Sequence, residues 1–226
     1  MNNEKFTAII LARGGSKGIK LKNLVKINGK PLIYWTIKRC LMSKKINSTW
    51  VSTDNNLIAS YSKKIGANVI FRPKKYAKDN SSSEDAWIHA VKLLKKNFNI
   101  LNIVGLQPTS PLREKKDLDQ ACSIFLKKRY DSLISVLKIS DHFIWRKKNK
   151  KLNANYNYKK RPRRQNIEKK YLENGSFYIF NAEKFLKFKN RIFGKIGLYE
   201  MKKINSFQID ESDDIKLFNS LRIFFK

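Results

Sequence analysis

The sequence predicts an α/β fold, a mostly parallel sheet with helices on both faces. Three observations lead there. Apolar runs alternate with helical patterns through residue 137, the rhythm of βαβ units. The first run opens directly into a glycine-rich basic loop, where an open sheet binds its ligand. The chain has 226 residues, 42% of them hydrophobic, enough for one well-buried domain and against wholesale disorder.

The elements follow in order. TAIIL (7–11) is a buried strand. Pro31 suits the first position of a helix whose Ile33, Ile37, Cys40 and Leu41 share a face. STWVST (48–53) is the next strand, and Asp54 is the expected cap of the helix after it. NVIFR (68–72) is a third strand. Trp87, Ala90, Val91 and Leu94 recur at i, i+3, i+4 and i+7 and make 83–95 an amphipathic helix. LNIVGLQ (101–107) is a fourth strand, 116–128 a helix and SLISVLK (132–138) a fifth strand.

Composition shifts at Asp141. From there to Glu173 the chain is basic, aromatic and short of aliphatic runs, so 141–173 reads as an insertion outside the sheet. The rhythm resumes at SFYIF (176–180). Asn181 caps a helix into Phe188, GLYEM (197–201) is a late strand, and Ser212 caps a last helix over 213–224. The whole of 1–226 reads as one domain with this insertion inside it.

The net charge of +31 points to polyanionic ligands. The basic residues are spread along the chain and are mostly lysine. Lysine, asparagine and isoleucine are all abundant here and share A/T-rich codons, so much of the charge is expected on solvated faces. Basic and aromatic residues cluster only at 146–164, which keeps a nucleic-acid-binding module as the rival from another class. No apolar run reaches the roughly 18–20 residues of a membrane span. The run 6–12 is too short for a signal-peptide core, so a cytoplasmic protein is expected. Cys40 and Cys122 fall in helical patterns and are expected to be buried reduced thiols. His142 is expected to be structural.

LARGGSKGIKLKN (11–23) carries the chemistry. Adjacent glycines let backbone N–H groups approach an anion. Arg13, Lys17, Lys20 and Lys22 add charge, and Asn23 adds a neutral donor. The loop is a phosphate site in outline, with donors enough for a triphosphate. It is not a P-loop, because Gly14 to Gly18 is one residue short and Ile19 stands where lysine is required. Nor is it the G-x-G-x-x-G dinucleotide fingerprint.

That loop resembles the signature of the CMP-N-acylneuraminate (CMP-sialic acid) synthetase family, the acylneuraminate cytidylyltransferases. QPTSPLR (107–113), NGSFYIF (174–180) and QIDESDD (208–214) match further family motifs, in the family's order. The resemblance implies a Rossmann-like sheet of the nucleotide-diphospho-sugar transferase type. It implies transfer of CMP from CTP to a nonulosonic acid, N-acetylneuraminate or a relative such as legionaminic acid, with release of pyrophosphate. A 3-deoxy-octulosonate cytidylyltransferase is the rival enzyme, though its opening loop normally lacks the GGSKG form.

Residue by residue, the resemblance implies that Arg13, Gly14, Ser16, Lys17 and Asn23 hold the triphosphate, with Lys22 near the reacting phosphate. Lys22, Asp210 and Arg13 form the catalytic set. Arg72 and Ser82 are implied near the nucleoside, and Gln107, Arg164, Tyr178 and Phe193 near the sugar. Mg²⁺ is implied at Asp210. The family commonly has a second aspartate two residues earlier, where this chain has Gln208. Asp214 matches a later acid of the same motif, and an acidic first-turn residue is its other reading. Trp145 falls where sialic acid enzymes often place a lysine. The segment 141–173 resembles the family's dimerisation flap, so a homodimer is implied.

Overall fold

A computed structural model describes residues 6–16, 18–139 and 143–221. The chain enters the core at β1 (Phe6–Leu11), an apolar strand buried along nearly its whole length. A small hairpin, β2 (Lys26–Ile27) with β3 (Lys30–Pro31), leads into α1 (Leu32–Met42). Next, β4 (Ile46–Thr53), α2 (Asn56–Lys64) and β5 (Asn68–Phe71) build outward on one side of β1. Then α3 (Ser83–Asn97) returns the chain to β6 (Asn102–Leu106) on the other side of β1. After α4 (Lys115–Lys127) and β7 (Ser132–Ile139) comes a separate hairpin, β8 (Trp145–Lys148) with β9 (Lys151–Ala154). The long β10 (Lys170–Asn181), α5 (Ala182–Phe188), β11 (Ile196–Glu200) and α6 (Ser212–Ser220) complete the described elements.

The main sheet has the order β11-β7-β10-β6-β1-β4-β5. Its pairings are parallel except those of β10, which is antiparallel to β6 and β7. Successive side chains of a strand point to opposite faces. Phe6, Ala8 and Ile10 therefore pack with Ile33 of α1, Ile58 of α2 and Phe125 of α4. Ile9 packs on the other face with Trp87 and Leu94 of α3 and Phe185 of α5. Each such buried Ile, Leu or Phe side chain contributes about 1.5–3 kcal/mol. A third cluster joins Ile27, Trp35, Leu112, Ile209 and Phe218, and it fixes the small hairpin and α6 beside α1.

The chain winds one way from β1 to β5 and restarts at β6 on the opposite side. The carboxyl ends of β1, β4, β5 and β6 meet at that reversal and open a crevice there.

Some sequence expectations need correction. Asn55, not Asp54, caps α2, accepting from the N–H groups of Leu57 and Ile58. Asp54 instead accepts from Gly14 N. Leu41 is 45% exposed although Ile33, Ile37 and Cys40 are buried. It sits at the edge of the apolar stripe, one residue beyond Cys40. The insertion ends inside β10, because that strand starts at Lys170 and pairs Tyr171 with Lys138 before its irregularity between Glu173 and Tyr178. Polar residues in its first third hid that strand. Glu211 rather than Ser212 is the N-cap of α6, with Asp214 completing a reciprocal capping box. The expected cap at Asn181 is present, accepting from Glu183 N and Lys184 N. Cys40 and Cys122 are buried free thiols, and burial pushes the Cys40 thiol up to about 12.

Candidate active site

A cavity of about 280 Å³ occupies the crevice. Leu11, Arg13, Gly15, Ser16, Lys22 and Asn23 form its floor, Arg72, Tyr76, Lys78, Asp79 and the serines before α3 one wall, and Gln107, Pro108 and Thr109 the other.

The loop after β1 is shaped by its own contacts. Asn23, itself buried, donates from Nδ2 to the Arg13 carbonyl at 2.9 Å. Gly14 N donates to Asp54 Oδ1 at 2.8 Å. A Cβ on Gly14 would lie 2.9 Å from Asn55 Cβ and Nδ2, so only glycine lets the loop approach the N-cap of α2 this closely. Leu21 takes a left-handed φ of 49° immediately before the 3-10 turn at Lys22–Leu24, a conformation a branched side chain adopts only under constraint. The turn aims Lys22 across the crevice mouth. Its Nζ donates to the Ile209 carbonyl at 3.1 Å and to Asp210 Oδ1 at 3.0 Å.

The cations of this cup are already matched by acids of the chain. Arg13 Nη1 pairs with Asp79 Oδ1 at 2.9 Å and donates to the Lys78 carbonyl at 3.1 Å, bridging floor and wall. Lys22 pairs with Asp210, and the Gly14 N–H with Asp54. Three donors thus face three carboxylates, an arrangement that an incoming polyanion can replace oxygen for oxygen.

Arg72 is buried under the wall. Its Nη2 donates to the Ser52 carbonyl at 2.7 Å and Nη1 to the Tyr76 carbonyl at 3.4 Å. Its Nε is buried without an acceptor. Desolvation pulls its guanidinium down to about 10, against the opposing pull of Asp54. Ser82 caps α3 by accepting from Asp85 N at 3.0 Å, while its hydroxyl donates to Asp85 Oδ2. It therefore lines the cavity with its oxygen already used.

On the opposite wall, Gln107 is fixed through Arg113. That guanidinium is fully buried and donates to Ser176 Oγ at 2.8 Å, the Ser176 carbonyl at 2.7 Å and the Gln107 carbonyl at 2.9 Å. Gly175, at φ +62°, brings β10 close beneath Gln107 and Gln208. Gln208 Nε2 donates to the Asn174 carbonyl, and Ile209 N to the Thr109 carbonyl at 2.9 Å, which holds the Asp210 segment to this wall.

The structure brings Arg13, Ser16, Lys22, Asn23, Arg72, Ser82 and Gln107 to one cavity, and joins Asp210 to it through Lys22. Gly14 supports the loop from beneath. Lys17, His142 and the Arg164 side chain lie outside the described residues. Tyr178 and Phe193 are 3% and 7% exposed, pack against α3 and α5, and do not line this cavity. Their place on or beside the inner strands buries them, as it does most strand aromatics. Asp214 serves as the capping-box acid, accepting from Asp210 N and Glu211 N at 2.8 Å each. Trp145 stands on β8, its ring 5.2 Å from that of Tyr158, and does not line the cavity. Sequence reasoning missed Tyr76, Lys78, Asp79 and Thr109. For Tyr76, Lys78 and Asp79 the signal was the stretch RPKKYAKD after the third strand, a basic-aromatic loop ending in an acid; Thr109 lies in the QPTSPLR motif.

Among the described residues no group of three or more His, Cys, Asp or Glu converges as a metal cluster. Asp210, its side chain 61% exposed at the crevice mouth, is an acid that could hold a hard cation there.

The chain matches the family model described as cytidylyltransferase over residues 7–223. It is 37% identical to N-acylneuraminate cytidylyltransferase A of Danio rerio across 92% of this chain and 49% of that protein. The chain thus spans about half the length of that relative. It is 29% identical to post-translational flagellin modification protein B of Campylobacter coli, over 92% of this chain and 91% of that one. Its fold matches the structure of CMP:2-keto-3-deoxy-manno-octonic acid synthetase complexed with CTP, with a TM-score of 0.72 and 16% identity over 97% of this chain and 98% of that chain.

Proposed function

This chain belongs to the cytidylyltransferase family, and on that premise we propose that it joins CTP to a nonulosonic acid, giving the CMP-sugar and pyrophosphate. The observation that carries the reading is the convergence of Arg13, Lys22, Arg72 and Gln107 on one cavity at the sheet's reversal. The similarity to N-acylneuraminate cytidylyltransferase A and to a flagellin modification protein favours an N-acylated nine-carbon acceptor.

The anomeric hydroxyl oxygen of the sugar attacks the α-phosphorus. The hydroxyl proton passes to solvent water, the bond to the bridging oxygen breaks and pyrophosphate departs with the electron pair. The protein's share is positioning and charge neutralisation. Arg13 exchanges Asp79 for a phosphate oxygen, and the N–H groups at Gly15 and Ser16 face the same chain of phosphates. Lys22 turns from Asp210 to the reacting phosphate, where charge develops in the transition state. Arg72 and the serines before α3 hold the nucleoside, and Gln107 faces the acceptor.

Lys17 and Arg164 belong to this proposal from the sequence alone. When bound, Mg²⁺ neutralises phosphate charge. Asp210 would hold it together with phosphate oxygens and water, the one-carboxylate manner in which this ion commonly binds.

We further propose a homodimer built on the β8–β9 region. Ile144, Trp145, Leu152, Tyr158, Tyr171 and Leu172 there expose large apolar surfaces. No described helix is long and apolar enough to cross a membrane, and a cytoplasmic enzyme is the reading adopted. The charge of +31 is assigned to solvated faces and to attraction of anionic substrates rather than to nucleic acid.

The test is a panel of nonulosonic acids and 3-deoxy-octulosonate, each with CTP and Mg²⁺, reading the CMP-sugar by mass. Product with an N-acylated nonulosonate supports the reading. Product with the octulosonate alone, or CTP-independent binding of single-stranded RNA without any transfer, overturns it.

A further inference from the structure

Behind the wall that Tyr76 gives to the cavity stands His89 of α3, a titratable ring that the transfer chemistry does not use. Tyr76 and Arg72 line the cavity, and His89 does not. Its ring packs on the Tyr76 ring, with centroids 5.4 Å apart and planes tilted by 39°. Lys75 Nζ lies 4.9 Å from the centroid of the same Tyr76 ring. The Tyr76 carbonyl in turn accepts from Arg72 Nη1. His89, Tyr76 and Arg72 thus form a line of contacts running from α3 to the cavity.

Two buried nitrogens along this line have no hydrogen-bond partner, Arg72 Nε and His89 Nδ1. Such atoms are rare and call for a reason. A neutral imidazole can leave one ring nitrogen as a bare acceptor, whereas a protonated one turns both nitrogens into donors. Protonation would therefore bury a new N–H at Nδ1 that meets no acceptor. The surroundings act in the same direction. Burial first, then the charges of Arg72 and Lys75 from the segment after β5, hold His89 below the ordinary imidazole range. On α3 itself Asp85, one turn earlier, is engaged by the Ser82 hydroxyl, and Lys92, one turn later, adds a further cation.

We propose that His89 is a positioning residue whose neutral ring braces Tyr76, and through it Arg72, and that protonation of His89 loosens this wall and weakens CTP binding. The proposal rests on the reading of the cavity as the nucleotide site. Its sign follows from the contacts. Above the ordinary value of 6.5 the ring is neutral and the brace is intact. As pH falls from there through the lowered folded-state value, the ring gains a proton beside two cations and the brace is lost. The coupling is reciprocal, so CTP must oppose the proton by the same factor by which the proton opposes CTP.

The experiment measures the Kd of CTP by calorimetry at about pH 7.5 and about pH 5.5, in the wild type and in His89→Phe. Phenylalanine keeps a ring against Tyr76 and takes no proton. Titration of CTP itself enters both proteins alike and cancels in the comparison. The rise in Kd on acidification should be at least about threefold greater in the wild type, the factor that about half a pH unit represents. Equal rises, or a greater rise in the variant, overturn the proposal. If His89→Phe does not fold, His89→Gln carries the same contrast with the same outcomes. An NMR titration of the His89 ring gives a readout that a merely structural residue would not move. Its midpoint should fall by about half a pH unit when CTP saturates the protein, and a midpoint that stays or rises overturns the proposal. A wild type that binds no CTP at either pH overturns the nucleotide reading itself, an outcome distinct from binding with equal responses to pH.

Discussion

Lys22 Nζ stands 3.0 Å from Asp210 Oδ1, so residues 188 apart in sequence meet in one ion pair at the crevice mouth. The pair joins the loop after β1 to the segment before α6 and keeps both segments at the same point. A phosphate entering between them finds a cation on one side and a free carboxylate on the other.

Replacing Lys22 with Met should lower kcat on the order of 10²–10³-fold, the range for removing one preorganised donor from a developing charge. CTP affinity should fall far less. Pre-steady-state product formation and calorimetry separate the two, and an unchanged kcat would remove Lys22 from the chemical step.

Arg13 carries a different load. Arg13→Ala should weaken CTP about 10–100-fold, since a hydrogen bond to a charged group contributes roughly 1.5–3 kcal/mol. Asp79→Asn should do the opposite and tighten CTP modestly, by less than about fivefold, because an exposed pair contributes only about 0.2–1 kcal/mol. Titration calorimetry reads both. A looser complex with Asp79→Asn would make Asp79 a support for Arg13 rather than its stand-in counter-ion.

Gly14→Ala should destabilise the fold by about 1–3 kcal/mol, the usual effect of forcing a methyl into filled space. The contact at fault is the Asn55 side chain, 2.9 Å from the new Cβ. Urea unfolding should show a lower midpoint with the slope unchanged. Gly15→Ala, with nothing within 4 Å of its Cβ, should leave the midpoint where it was.

Arg113→Met should be more damaging, about 3–5 kcal/mol, because Ser176 and the Gln107 carbonyl lose buried donors at roughly 1–3 kcal/mol each. Burial pulls its guanidinium down to about 10, against the opposing pull of Cys40 and Asp117. Denaturant melts measure the loss, and a near-neutral effect would mean that the turn after β6 holds without it.

The thiols give a pH test. The Cys40 pKa rises from 9.0 to about 12 on burial. Below pH 9 both folded and unfolded chains keep the proton, and this contribution to stability is whole. Between pH 9 and 12 only the unfolded thiol ionises, so stability should fall as pH rises through that window. At pH 8 a thiol reagent should label neither Cys40 nor Cys122 until denaturant is added. Rapid labelling of the native protein would place a thiol at the surface.

Much of the fold was legible because local chemistry and global fold agree. The apolar runs at β1, β4 and β6, the i, i+3, i+4, i+7 stripe of α3 and the Asn181 cap each depend on near neighbours in sequence. The first third of β10 was not legible, because Lys170, Tyr171 and Glu173 face solvent and carry no apolar pattern. The cap of α2 was read one residue early because Asp54 and Asn55 are equally good caps. Only the position of Gly14 decides that Asp54 turns inward instead.

The sequence alone determined that a glycine-lined basic loop follows the first strand, since backbone freedom and charge are properties of the residues themselves. It also determined the winding of strands and helices that puts this loop at the carboxyl end of the sheet. Which acid meets which cation was decided only by the tertiary structure. Asp79, Asp54 and Asp210 come from three distant segments, and their pairing with Arg13, Gly14 and Lys22 follows from packing. The burial of Tyr178 and Phe193 was likewise decided only by packing, because an aromatic ring in the close-packed interior is more stable out of water.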